Sequence, residues 1–424
     1  MDYTTYYKSL WDLVRRPSEP EQHNDLCAQV SQFSSVVSSA EGISREQWIE
    51  SLAVAASFAV SGFEWAGPET LKQAERWTKV ISEHLGMDAY NGTLAPDVFR
   101  AMCTSHVKPY FGSRAGDRPS SQPQFTLLAG GKKTTLSDTD RWRKQPQCIA
   151  TFTWALDHVE DKGIKELTSY ILPVILALVE DYDCQAKIWG LRVAQVLLDR
   201  GGSEFLRKSG IAGLVDKSTR GCLVYRSESG GAELLRLGFG TAIKVARIMY
   251  PLKDDSRYAQ QWWMLAERVV ANNVYVSENI AANSVLCEQC TPLCQALGPA
   301  IARYLRPLVG ILAQCLHSPV YLSSSIAQLH LAAIGQFDAL ILACPQRAST
   351  YTADIVAALA YSWSSTLHEQ CSGVVNVGLI QELTLSVLGR LNHESPDIVG
   401  IAITRLHDAR PAVFAQWKQA FVTK

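Results

Sequence analysis

Apolar residues recur every three or four positions along most of this chain, and no Val/Ile-rich segment alternates long enough to read as a strand. That period belongs to one face of an α-helix. Leu167, Ile171, Val174, Ile175 and Leu178 are the clearest run, followed across a short acidic turn by Ile188, Leu191, Val196 and Leu197. Further helices are expected over Trp142–Glu160, Ala232–Tyr250, Ser256–Ala271, Gly298–Leu316, Val320–Ala343, Tyr351–His368, Val377–Leu391 and Asp397–Trp417. Gly, Pro or short polar turns separate them. Paired helices of this length repeat about every 40 residues, which reads as an all-α solenoid of HEAT or armadillo type. A chain of 424 residues is too long for one core, and a repeat array or several domains resolves that.

Helix starts are written locally. Ser44 and Gln47 form a capping box in which each side chain answers the other residue's backbone N–H. Pro68 and Pro96 suit the first turn of a helix, where a missing N–H costs nothing. Gly86 suits a C-cap.

Between Gly112 and Ser137 the pattern stops. The run GSRAGDRPSSQPQFTLLAGGKKTTLS is rich in Gly, Ser and Pro and reads as a flexible linker. It divides an N-terminal helical region, 1–111, from a C-terminal array, 138–424. Gly130-Gly131-Lys132-Lys133-Thr134 lacks the spacing of a phosphate-binding loop, because Thr126 holds the first glycine position and Lys133 follows the lysine.

Composition narrows the function. Forty Lys and Arg balance 41 Asp and Glu, so no basic excess argues for nucleic acid or an anionic membrane. No run of 18 apolar residues argues for a membrane span, and the first residues lack the pattern of a secretory signal. Eleven scattered cysteines fit a reduced compartment better than a disulfide framework. Asn91-Gly92-Thr93 then reads as a loop rather than a glycosylation acceptor.

Catalytic constellations are missing from the sequence. No His-Glu-x-x-His, Gly-x-Ser-x-Gly or glycine-rich dinucleotide pattern occurs. Cys287, Cys290 and Cys294, with Cys315 and His317 beyond, are the best case for zinc, and hence for a helical metalloenzyme. Zinc wants four convergent ligands, whereas spacings of three and four put these thiols on one apolar helix face, where Cys packs as a small hydrophobe. No cofactor, metal or catalytic residue is assigned. Candidate protein-binding residues are the acidic turn Glu180, Asp181, Tyr182 and Asp183, with Lys187 beyond it, and the pair Trp262 and Trp263. Either aspartate could cap the next helix, with Asp181 preferred. Carboxylates beyond the cap are free for a basic partner, and Tyr182 offers an amphipathic anchor.

One stretch carries a family likeness. Arg141-Trp142-Arg143-Lys144 and Trp154 precede Leu172-Pro173, Leu176 and Leu178. Glu180-Asp181-Tyr182, Lys187 and Gly190 follow, then Leu206 and Gly210-Ile211. In order and spacing this resembles the Tel-two-interacting protein two family, with Glu180 where that family has Asp. A fainter echo is Ala343-Cys344-Pro345-Gln346-Arg347 before Trp363. The resemblance implies a scaffold subunit of the TTT co-chaperone complex, in cytoplasm and nucleus, with Tel-two and Tel-two-interacting protein one as partners. It implies an indirect role, with the Hsp-ninety chaperone and R2TP-type co-chaperones, in maturing phosphatidylinositol-3-kinase-related kinases. Without the resemblance, the residues fit equally a transport or phosphatase-regulatory adaptor of HEAT or armadillo type.

A polar, Gly/Pro-rich stretch between packed elements opens readily to protease. Limited proteolysis of the full chain should therefore cut first within 112–137. First cuts inside Leu167–Leu198, read by mass spectrometry, would put the boundary elsewhere.

Overall fold

A computed structural model describes residues 43–63, 65–85, 93–111, 141–251, 256–276, 279–368 and 376–421. The expected linker, the Gly86 cap and Asn91-Gly92 lie outside them. The described residues form helices joined by turns and short loops, and their one β feature is an isolated bridge between Leu94 and Val159. The chain is an all-α repeat fold.

Contacts divide it into two units, 1–178 with 192–211, and 179–191 with 212–424. In the first, α1 (Arg45–Phe58) lies against α2 (Pro68–His84), α3 (Pro96–Met102) and α4 (Gln147–His158). Most of α1 is buried, from Trp48 to Phe58. Its alanines let neighbours come close, and Thr151 of α4 donates to the Ala53 carbonyl at 2.9 Å. The Ser44–Gln47 capping box is present in both directions. Pro68 and Pro96 each stand in a first helical turn. Helix α3 continues into a π-helical turn, Cys103–Val107.

The first unit also contains α5 (Asp161–Val179, to Leu178), the second half of α6 (Cys184–Arg200) and α7 (Ser203–Lys208). Pro173 sits inside α5 without ending it. Arg200 closes the α4–α5 corner. Its guanidinium donates to the carbonyls of Leu156 (2.7 Å) and Val159 and pairs with Asp161 at 2.6 Å.

The second unit adds α8 (Ile211–Thr219), α9 (Gly231–Met249), α10 (Ser256–Val276), α11 (Ile280–Glu288), α12 (Cys290–Leu297) and α13 (Leu305–Cys315). It continues through α14 (Ser324–Ala343), α15 (Thr352–Thr366), α16 (Val377–Glu394), α17 (Pro396–Ala409) and α18 (Pro411–Phe421). Helix α14 is its hub, packed against α11, α12, α13 and α16. By length and composition α14 could also cross a membrane. Its polar groups point to a core helix instead. Gln336 accepts from the Thr291 N–H and hydroxyl at the start of α12 (2.8 and 2.6 Å), and Asp338 pairs with Arg390.

Several expected helices are shorter than their periodicity suggests. Trp142–Glu160 is a 3-10 turn, Arg141–Lys144, followed by α4 starting just after Pro146. Asp397–Trp417 splits at Arg410-Pro411 into α17 and α18. Gly298–Leu316 begins as 3-10 helix over Gly298–Tyr304. Proline removes an N–H and excludes the helical conformation from the residue before it, so the apolar rhythm crosses these breaks while the hydrogen bonds do not.

His330 of α14 is fully buried. Its Nε2 lies 2.8 Å from the Ser318 carbonyl, which can only accept, so the proton sits there and Nδ1 accepts from the Ser362 hydroxyl at 2.8 Å. Burial pulls its pKa down to about 4 from the ordinary 6.5, and burial does the same to His106. A depressed histidine is neutral in the fold and takes a proton more readily when unfolded. Its stabilising contribution is complete above about pH 6.5 and is lost as pH falls towards 4. Each such group imposes a slope of up to about 1.4 kcal/mol per pH unit in that window. Urea unfolding of His330→Gln should show lower stability at neutral pH but a shallower decline between pH 6.5 and 4; an unchanged slope would remove His330 from the account.

A candidate partner-binding turn

The acidic turn between α5 and α6 joins two helix ends, and most of its side chains are used to close them. The last carbonyls of α5 have no partner within their helix. Lys187 supplies one: its ammonium donates to the Val179 carbonyl at 2.6 Å, and the residue is only 6% exposed. Asp183 caps α6, its Oδ2 accepting from the Ala186 N–H at 2.8 Å. Asp181 accepts from the Asp183 N–H at 2.8 Å and fixes the bend before the cap. The cap is therefore Asp183 rather than Asp181, because the aspartate immediately before the first helical residue is placed to reach the free N–H groups.

A residue far away in sequence completes the turn. Arg226 donates to the Tyr182 carbonyl at 2.9 Å. Its own loop is held by Asn272 of α10, which accepts from the Tyr225 N–H and donates to the Leu223 carbonyl, each at 2.7 Å. Two glycines permit this approach. Gly230 has φ +84°, and a Cβ there would press on Ile188 at 3.1 Å. A Cβ on Gly231 would overlap the Arg226 carbonyl oxygen. No spacing pattern marks Arg226, Asn272 or Gly231, since each acts across 40 or more residues or only through its lack of a side chain.

What the turn leaves outward is small. Glu180 is exposed, and Tyr182 is 72% exposed on a backbone pinned from both sides. A fixed backbone loses little further freedom when its side chains are covered, and an exposed tyrosine is a common interface anchor.

The other candidates divide. Trp262 is 1% exposed and part of the core of the second unit, so it offers no surface to a partner. Trp263 is half-buried, with the Arg303 guanidinium 5.5 Å over its ring. Lys187 is buried and committed to the Val179 carbonyl. The periodic pattern marks neither distinction, because adjacent Trp residues point some 100° apart on a helix and a lysine is ordinarily exposed.

The cysteines lie in the same core. Cys287 and Cys315 approach to 3.5 Å between sulfurs, and Cys290 and Cys294 are buried nearby. They do not share one helix face, because α11 ends at Glu288 and α12 begins at Cys290. Burial pushes the Cys294 thiol up to about 12, and that of Cys290 higher still.

Comparison with known proteins places the chain. The model of the Tti2 family matches residues 52–323, well over half its length. The chain belongs to the Tti2 family. Among individual Tti2 relatives, TELO2-interacting protein 2 of Rattus norvegicus is 24% identical over 123 residues, which is 29% of this chain and 22% of that protein. The same protein of Mus musculus is 25% identical over a match of equal length. The chain thus aligns with little more than a fifth of these relatives' length. A solved structure described as a circular tandem repeat protein with novel repeat topology and enhanced subunit contact surfaces covers 98% of this chain. It is 12% identical, over 90% of its own length, with a TM-score of 0.29. At that score the fold rests on the chain's own helices.

Losing a helix cap costs about 1 kcal/mol. Urea unfolding of Asp183→Ala should show a loss of that size, and Asp183→Asn, which keeps an accepting oxygen, a smaller one. Equal losses from Asp183→Ala and Asp181→Ala would return the cap to both residues.

Proposed function

We propose that this chain is a non-enzymatic scaffold subunit of a TTT-type complex, present in cytoplasm and nucleus. In this reading it joins a Tel-two-type protein and Tel-two-interacting protein one. Through them it helps phosphatidylinositol-3-kinase-related kinases mature with the Hsp-ninety system. The observation that carries the reading is the family match over 52–323, a span that includes the acidic turn. The relatives' name, TELO2-interacting protein 2, supports a Tel-two-type partner. A helical repeat array suits the role physically, since stacked helix pairs present extended ridges and grooves.

Within that reading the α5–α6 turn is a contact point. Glu180 and Tyr182 are the residues to test, because Asp181, Asp183 and Lys187 hold the turn itself. Single exposed ion pairs contribute only about 0.2–1 kcal/mol, so two changes are combined. Glu180→Lys with Tyr182→Ala should reduce recovery of Tel-two-interacting protein one from cells expressing the tagged full chain, and leave the thermal melt unchanged. Full recovery would make the turn a plain connection. Failure of the unmutated chain to recover either Tel-two-type partner would sink the complex assignment itself.

A further inference from the structure

The second unit contains a groove that the turn does not explain. It has a volume of about 500 Å³, and α15 forms its floor with Ala357, Ala360 and Ser364. On one side Tyr321 stacks on His368 with ring centroids 4.3 Å apart. On the other stand Leu406, Arg410 and Phe414. The floor residues are small, and apart from Arg410 the wall residues named are apolar or aromatic. From Ala357 to Ser364 runs seven residues, about 10 Å of helix axis, enough to seat two turns of a second helix.

The groove is built into the core packing rather than formed by loose side chains. Trp363, on the same helix as the floor, is buried against Trp417 in an edge-on contact at 5.5 Å. Its indole N–H donates to the Val413 carbonyl of α18 at 3.0 Å. Phe414 packs edge-on against Trp417 at 5.2 Å. These contacts lock α18, which contributes Phe414 to one wall, to α15, which carries the floor; Leu406 and Arg410 come from the end of α17. A preformed groove costs little to organise on binding. Tyr361 is exposed on its lining, and Leu322 and Leu367, next in sequence to Tyr321 and His368, are exposed as well.

Charge selects the occupant. No carboxylate lines the groove among the described residues, while Arg410 contributes an exposed guanidinium and His368 an imidazole. An apolar channel with a cation at its edge complements an apolar segment that carries an acid. We infer that this groove docks a helical segment of a partner protein in which a bulky apolar residue is followed within one turn by Asp or Glu. The apolar residue fills the space above Ala357 and Ala360, and the carboxylate meets Arg410. This inference is independent of which complex the chain joins.

The probe is a phage-displayed library of random peptides about 16 residues long, selected on the full chain. The enriched sequences should share a large apolar residue with an acidic residue three or four positions away. A synthetic peptide of that consensus should bind Ala357→Trp, an exposed position that fills the groove, about tenfold more weakly than the unmodified chain. Arg410→Glu, also exposed, should weaken it about as much, and Arg410→Lys much less. Thermal melts of the three variants should match the unmodified chain, and Arg410→Glu carries the test if Ala357→Trp fails to fold. No enrichment, a consensus without an acid, or unchanged binding to Arg410→Glu would each overturn the proposal.

Discussion

Short connections between packed helices force a problem of hydrogen bonding at the described corners of this chain. Each helix leaves N–H groups at its start and carbonyls at its end without partners, and a corner buried by neighbours cannot hand them to water. Side chains from elsewhere answer them. Lys187 reaches back to Val179, Arg200 gathers the carbonyls of Leu156 and Val159, and Gln336 caps α12 from the middle of α14. Asn272 fixes the backbone of Leu223 and Tyr225, and His330 joins the Ser318 carbonyl to Ser362. An unanswered buried group costs about 1–3 kcal/mol. These residues therefore fix the geometry of the corners, while the apolar faces between them supply most of the driving force.

That division decides which residues of the turn stay exposed. In the α5–α6 turn, three of five candidate side chains are occupied by helix ends: Asp181, Asp183 and Lys187. Their occupation is what holds Glu180 and Tyr182 in place. A residue can thus matter to binding without touching the partner. Arg226 is such a residue here, since it donates to the Tyr182 backbone carbonyl while the tyrosine side chain stays exposed.

The same distinction explains what could be read from the sequence. Signals that act within one turn were legible: the Ser44–Gln47 box, the prolines at 68 and 96, and the apolar face from Leu167 to Leu178. The all-helical class followed from periodicity, and the family from the order of residues between Arg141 and Ile211. Helix breaks at Pro146 and Pro411 were not legible because the apolar rhythm runs through them. The choice between Asp181 and Asp183 needed the exact first residue of α6. The burial of Lys187 and Trp262 needed the neighbours that cover them, and the groove beside Arg410 needed the turn at Tyr321, α15 and the α17–α18 corner brought together.

The cysteines show how far a local pattern can mislead and still land near the right chemistry. Their spacing suggested one helix face, and the face does not exist, because the helix is interrupted at Gln289. The thiols nevertheless gather, since α11, α12 and α13 converge in one apolar core. A thiolate, the form that attacks or ligates, is favoured by nearby cations or helix N-termini. Around Cys287 the influences run the other way: the Cys315 contact, burial, Cys290 and Glu288 all raise its pKa. Cys290 and Cys294 are raised chiefly by burial. In that environment sulfur keeps its proton and fills space as a small, polarizable apolar group, which is what a helix-packing core asks of it.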